Sequence, residues 1–315
     1  MSGLAADIPP WTMDQHEVMF QAVCRHFGID SSAVDVMDRL RAIPQQVLAD
    51  ETPAIQGVLA GTGNPCLDGW FYADGVDPRE INEPPHWIQS FMIGDTYHEG
   101  IIFHINILDD GYDFIRNTLL EYVQDEGELD TILEEYGITP DLAQETLVQR
   151  MEHMVGDAVF KIPNYTTILA SQKLREAGNL FAYHFDQRSR LKNTLEGTSY
   201  HAHDLLYLFG NLHNKFDDGE KQMARDFASA FLRFVYGEAP WEIPGDEWKW
   251  KVWGPDSKQA LKNENEDESV RSYTRIKRVI ALGNGQTWMR WLKGVDVLIN
   301  KRMRVKSVHS VPGTF

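Results

Sequence analysis

Two residues far apart in the chain, Glu99 and His201, are of the types that together perform acid–base chemistry. A carboxylate that accepts a hydrogen bond from one imidazole nitrogen sets the tautomer and stabilises the imidazolium. The other ring nitrogen can then take a proton from a nucleophile and return it to a leaving group. Glu99 stands five residues past Gly94, where a short apolar run ends, and His201 stands in a loop of Gly, Ser and Tyr after a second run. Each residue also has a plainer reading, as a solvated surface acid and as a structural histidine, and the pair alone does not separate these from chemistry. A wider grouping of His98, Glu99, His104, His201, His203 and Asp204 supplies the nitrogen and oxygen ligands that zinc takes, which makes a metal-dependent hydrolase the rival enzyme reading. Against it, the sequence holds no H-x-x-x-H pair.

The elements that must position these residues follow from hydrophobic periodicity. Trp87 to Gly94 reads as a buried strand followed by the polar turn Asp95 to Gly100, and Leu180 to Phe185 reads as a second strand followed by a loop from Asp186 to His203. Helical patterns cover 12–27, a pair of short helices in 31–50 broken near Pro44, 113–136, 140–155 and 154–176 with an interruption at Pro163. Others cover 219–236, with Met223, Phe227, Phe231, Leu232 and Val235 on one side, then 273–282 and 287–303. The Pro and Gly density from Pro53 to Pro85 predicts a loop-rich passage with a short extended piece from Cys66 to Tyr72. Past Trp241 comes a Trp-rich, broken stretch and then an acidic linker, Asn263 to Glu268. Strands joined by long helical connections imply an α/β class with a parallel sheet flanked by helices, and in such sheets functional groups sit on loops after the carboxyl ends of strands. Both Glu99 and His201 meet that condition.

Composition sets outer bounds. The 315 residues carry a formal net charge of −17, so a nucleic acid is repelled rather than bound. The charge is uneven, because residues 271–315 hold ten Lys/Arg against Asp296 alone. With 43% hydrophobic residues the chain can bury a core, which excludes wholesale disorder. Cys24 and Cys66 are too few for a disulfide scaffold, no apolar run reaches the length of a membrane span, and the N-terminus lacks a basic start and apolar core. These features predict no membrane partner and a cytoplasmic location. The sequon Asn164-Tyr165-Thr166 lies within a helical pattern and carries no conclusion about location.

The segment Gly94-Asp95-Thr96-Tyr97-His98-Glu99-Gly100-Ile101-Ile102-Phe103 resembles the type-B carboxylesterase and cholinesterase segment in which a strand and Gly precede a polar turn, the triad glutamate, Gly and an aromatic. Gly197-Thr198-Ser199-Tyr200-His201-Ala202-His203-Asp204, with the apolar run to Phe209-Gly210, resembles that family's histidine segment, where an acid follows the triad histidine by three residues. Leu67-Asp68-Gly69, Val155-Gly156-Asp157, the run Tyr183 to Arg188 and Phe234-Val235-Tyr236-Gly237 match further pieces in the family's order, over residues 1 to about 260. Two departures stand near the site: His98 where the family usually has an acid before the glutamate, and Ala202 where it usually has glycine after the histidine.

The resemblance implies an α/β-hydrolase whose relatives hydrolyse carboxylic esters with a Ser-His-Glu triad, His201 as base then acid and Glu99 as its partner. It places Asp204 and Ser2 beside that pair without making either a nucleophile. The family's nucleophile is the serine of a G-x-S-x-G elbow, and no such pentapeptide occurs in the 315 residues, nor a Gly-Gly oxyanion loop. Met1-Ser2-Gly3 resembles the strand end just after the elbow helix, so the expectation is a partial α/β-hydrolase fold. On that reading residues 1–260 form the family's C-terminal part, a remnant parallel sheet among many helices, and 261–315 a basic helical tail packed on or beside it. Three further expectations attach to it: no cofactor, no serine-type hydrolysis by the chain alone, and self-association through an exposed sheet edge. A complete form would take a small-molecule ester as its substrate. The competing non-enzyme reading is an adhesion-type binding module with Trp241, Trp248, Trp250 and Trp253 as its surface, although packing of that stretch on the body is the favoured reading of those residues.

Overall fold

A computed structural model of the chain describes residues 11–56, 65–70, 87–242 and 248–310. Met1-Ser2-Gly3 lies outside the described residues, and with it the placement expected for Ser2. The chain divides into two compact units, one drawn from 82–295 with the first seven residues and the other from 8–81 with 296–315. Among the described residues no helix is long and apolar enough to cross a membrane.

The smaller unit begins with the two-residue strand β1 (Trp11–Thr12), then α1 (Met13–His26), α2 (Val36–Arg41), α3 (Gln45–Gln56) and β2 (Cys66–Leu67), with β1 and β2 parallel. Thr12 starts α1 with a reciprocal cap. Its hydroxyl accepts from the Gln15 N–H, and its own N–H donates to Gln15 Oε1 at 2.9 Å. Gly28, at φ +65°, turns the chain out of the helix where only glycine does so without strain.

The larger unit carries the sheet. Its elements are β3 (Phe91–Thr96), a 3₁₀ turn at Glu99–Phe103, α4 (His104–Ile107), α5 (Tyr112–Val123), α6 (Glu126–Glu135) and α7 (Gln144–Gly156). A π-helical stretch, Asp157–Lys161, leads into α8 (Ile162–Ala170), then α9 (Gln172–Glu176), β4 (Leu180–Phe185), α10 (His203–Leu208) and α11 (Asp218–Val235). Last come β5 (Trp250–Trp253), β6 (Gln259–Lys262), α12 (Glu264–Arg271), α13 (Tyr273–Ala281) and the start of α14 (Thr287–Ser310), whose residues from 296 onward belong to the smaller unit. The strand order is β3-β4-β5-β6, with the first three parallel and β6 antiparallel to β5, so the sheet is mixed rather than purely parallel.

β4 occupies the residues expected of it, whereas β3 starts four residues later than the apolar run and extends two past Gly94. Pairing decides this: Phe91 to Thr96 stand opposite Leu180 to Phe185, and Trp87 is 71% exposed. Asp95 and Thr96 can be buried strand residues because Asp95 Oδ1 meets His184 Nδ1 at 2.9 Å and Arg271 Nη1 at 2.7 Å. Arg271 also pairs with Asp186, which buries the first residue of the basic C-terminal stretch in the core. Burial opposes ionisation of the Asp95 carboxyl, but His184 and Arg271 outweigh it and hold the carboxyl well below the usual range. Farther along, Arg275 pairs with Asp157 and Arg290 with Glu128.

Two sequence expectations, a helix break at Pro163 and an acidic linker at 263–268, fail for identifiable reasons, and the Trp-rich stretch follows its favoured reading. The helix does not break at Pro163. Pro163 is the second residue of α8, directly after the π-helical stretch Asp157–Lys161, whose wider turn accommodates the ring and the missing N–H. The Trp-rich stretch is core rather than an interaction surface, since Trp250 and Trp253 are strand residues and Trp241 packs with Phe181 and Trp253. The acidic linker is the start of α12, capped reciprocally by Asn263 and Glu266 at 2.9 Å each. On α11, Met223 and Phe227 face the core but Leu232 and Val235 are exposed. The Asn164 side chain is fully buried and donates to the Gly94 carbonyl, so the sequon is closed off.

Candidate active site

The β3–β4 ladder continues past the strands and builds the site. Tyr97 N–H donates to the Phe185 carbonyl at 3.2 Å, and His98 N–H donates to the Ser199 carbonyl at 2.9 Å. His98 and Tyr200 form a parallel bridge. Between Phe185 and Ser199 the chain makes an excursion whose neck is closed by Ser189, bonded through its backbone to Gly197 and Thr198, while the Ser199 hydroxyl donates to the Phe185 carbonyl at 2.6 Å. Residues 97–99 and 199–201 are thereby held side by side at the carboxyl ends of the strands, although a hundred residues separate them.

At that place Glu99 Oε2 lies 2.6 Å from His201 Nδ1. Glu99 is 1% exposed, and its second oxygen accepts the Thr96 N–H at 2.5 Å, so both carboxylate oxygens have a donor. The His201 side chain is one-third exposed and its ring stands 5.2 Å from that of Phe160. Burial resists protonation of His201, yet the hydrogen bond and charge of Glu99, with the charge of Asp204 added, raise its pKa above the ordinary histidine value. With Nδ1–H given to the carboxylate, Nε2 is the nitrogen left for a reacting proton.

Asp204 acts on His201 through its field and through the fold. It is buried in α10 and accepts from the Tyr183 hydroxyl at 3.0 Å. Tyr183 can reach it because its register partner on β3 is Gly94, where any Cβ would fall 2.4 Å from the Tyr183 ring. Ala202, between His201 and His203, adopts φ +64°, a conformation that costs a residue with a Cβ about 1–2 kcal/mol. Ala202→Gly, the residue the family resemblance expects there, should raise the unfolding free energy by about 0.5–1 kcal/mol, read as a higher urea midpoint.

The remaining histidines of the metal grouping are engaged elsewhere. His98 Nε2 and His104 Nδ1 both meet the carboxylate of Glu152, at 3.1 and 2.6 Å, and His203 is buried against Tyr200, rings stacked 4.6 Å apart. Among the described residues no group of three ligands stands close enough to hold a metal ion. Glu152 and His153 escaped the sequence reading, since nothing in their spacing links them to residues 98–104. Burial lowers the His203 pKa to about 4, and burial reinforced by His98 and Lys161 lowers that of His153 to about 4. Unfolded histidine titrates near 6.5, so between about 6.5 and 4 the unfolded chain binds more protons than the folded one. The midpoint of urea unfolding should therefore fall as pH drops through that window. His203→Phe, which removes one of the two imidazoles held near 4, should flatten the fall.

A cavity of about 370 Å³ opens beside these loops, lined among others by Tyr97, Arg188, Ser199, Lys262 and Ser269. Tyr97 and Ser199 each stand two residues before a member of the acid–imidazole pair, so cavity and pair share the same two segments.

Comparison with known proteins gives this geometry a setting. The family model described as the carboxylesterase family matches residues 1–280. Lipase 3 of Yarrowia lipolytica (strain CLIB 122 / E 150) is 28% identical over 252 residues, which is 77% of this chain and 45% of the lipase. Among solved structures, a PNB esterase superposes with a TM-score of 0.55 at 19% identity, over 88% of this chain and 56% of the esterase. EstA of Aspergillus niger gives a TM-score of 0.55 at 16% identity, over 90% and 58%. The chain spans about half the length of the relatives it matches, and its fold is a partial α/β-hydrolase fold.

Proposed function

The chain belongs to the carboxylesterase family, and we propose that Glu99 and His201 are the acid and the base of its ester chemistry. The observation that carries this reading is the 2.6 Å contact between Glu99 Oε2 and His201 Nδ1, made by a buried carboxylate whose other oxygen is already occupied. In that arrangement Glu99 holds the Nδ1–H tautomer, and Nε2 accepts the proton of a serine hydroxyl as it attacks the ester carbonyl. The same nitrogen returns the proton to the departing alcohol and then activates the water that releases the acid. Ester and water are consumed, and an alcohol and a carboxylic acid are formed.

The serine itself is not assigned, since the 315 residues hold no G-x-S-x-G elbow. A lone acid–imidazole pair lacks both nucleophile and oxyanion donors, the two largest contributions to acyl transfer. These residues alone are accordingly expected to hydrolyse an activated aryl ester no faster than free imidazole does. Reading the gene upstream of the codon for Met1 tests the proposal. An in-frame G-x-S-x-G, with ester hydrolysis by the product that contains it, supports the assignment. If no such segment exists and no product hydrolyses esters, the pair is structural and the chain is a binding module.

A further inference from the structure

We infer that Glu152 is a positioning residue for the Glu99–His201 pair, clamping both ends of the turn on which Glu99 sits. The inference rests on the function proposed above for that pair. Glu99 opens a 3₁₀ turn of five residues, a short element of poor hydrogen-bond geometry that does not hold a side chain in place by itself. Its N-cap is His98 and its C-cap is His104, and neither end has a side-chain cap of the usual kind. The two imidazoles instead converge on one carboxylate: His98 Nε2 on Glu152 Oε2 at 3.1 Å and His104 Nδ1 on Glu152 Oε1 at 2.6 Å. Glu152 is 6% exposed and belongs to α7, a thirteen-residue helix packed against the turn.

Three observations make the clamp specific. The middle of the turn is pinned by the same residue, because Gly100 lies so close to the Glu152 carbonyl that no side chain fits between them. The next residue of α7, His153, stacks on His98 with rings 4.5 Å apart and 21° from parallel. His98 Nδ1 is buried without a hydrogen-bond partner among the described residues, so the bond to Glu152 is the polar anchor of that ring there. His98 also stands where the family resemblance expects an acid, and an acid there would face Glu152 as a like charge. His98 and Glu152 are thus a matched pair, with a bracing contact at the position where the resemblance expects an acid. Burial opposes ionisation of Glu152, but hydrogen bonds from His98 and His104 prevail and keep its pKa below the ordinary glutamate value, as a clamp made of charge requires.

The test needs no catalysis. In the full chain with ¹⁵N-labelled histidine, the titration midpoint of His201 reports how firmly Glu99 is held, a readout that a purely structural role for Glu152 would leave alone. Glu152→Ala and His104→Ala should each move that midpoint down towards the ordinary histidine value. Amide exchange at Gly100 to Phe103 should quicken by about tenfold or more, as expected when a charged hydrogen bond is lost. Glu152→Gln, which keeps one accepting oxygen, should fall between. His104 is half-exposed, so His104→Ala decides the question if Glu152→Ala does not fold. A His201 midpoint unchanged in His104→Ala, while raised in the parent chain, overturns the clamp and leaves the proposed function intact. A midpoint already ordinary in the parent chain overturns both.

Discussion

Glu99→Gln, introduced into a polypeptide that also carries the nucleophile, is expected to lower kcat for an activated ester by about 10⁴, most but not all of the roughly 10⁶ lost with the imidazole itself. The reason lies in the accounting of donors. Each oxygen of the buried carboxylate accepts one hydrogen bond, from Thr96 N–H at 2.5 Å and from His201 Nδ1 at 2.6 Å. A glutamine offers one acceptor and one donor to those two donors. If its oxygen serves the backbone N–H, its amide faces Nδ1 and forces the proton onto Nε2, where a serine would have to deliver its own. At 1% exposure no water relieves the conflict. His201→Ala should fall further, by about 10⁶, and the double variant should be no worse than His201→Ala, because the two act as a unit. A loss below tenfold for Glu99→Gln would show that the carboxylate is not the orienting partner.

The sign of the pH dependence follows from the same contact. His201 is held above its ordinary pKa, so the stability it contributes is fully present below the unfolded value near 6.5 and disappears as pH rises through the folded value. Glu99→Gln should therefore destabilise the chain more at pH 5 than at pH 8. In a catalytically complete polypeptide the residual activity should have its acid limb at lower pH than the parent, since the base must be neutral to work and the variant base loses its proton sooner.

Much of this site could be read from sequence because its two members follow strands. An apolar run that ends at a polar loop announces where a parallel sheet places its chemistry, and β4, recognised from Leu180 to Phe185, has the expected bounds. The residues that went unread are those whose meaning depends on distant partners. Asp95 looks like a turn residue until Arg271, 176 positions later, neutralises it inside the sheet. Trp250 and Trp253 look like part of a broken stretch until β4 supplies a strand beside them. Glu152 looks like one more helix acid. Only the folded chain brings His98 and His104 to its two oxygens, and no periodicity encodes a contact between the end of one turn and the side of another helix.

The most damaging single methyl group in the larger unit should be the one added at Gly100. Built on the observed backbone, it would stand 1.8 Å from the carbonyl oxygen of Glu152 and 2.8 Å from the backbone nitrogen of Gly156. Both neighbours are main chain of α7, so no side-chain rotation makes room. Gly156 presents the reciprocal surface, its own Cβ position lying 2.7 Å from the Gly100 nitrogen. The turn and the helix touch backbone to backbone through two glycines, and separating them would break the contacts of His98, His104 and Glu152 together. Overpacking against flexible side chains costs about 1–3 kcal/mol, and here the rigid partner places the cost above that range, more than about 3 kcal/mol. Gly111→Ala is the control, since Gly111 has an ordinary φ of −84° and nothing within 4 Å of its Cβ position. That variant should lose less than about 1 kcal/mol. Urea unfolding of both variants decides the matter: equal midpoints would mean that α7 can withdraw from the turn, and the close approach would then have no part in fixing Glu99.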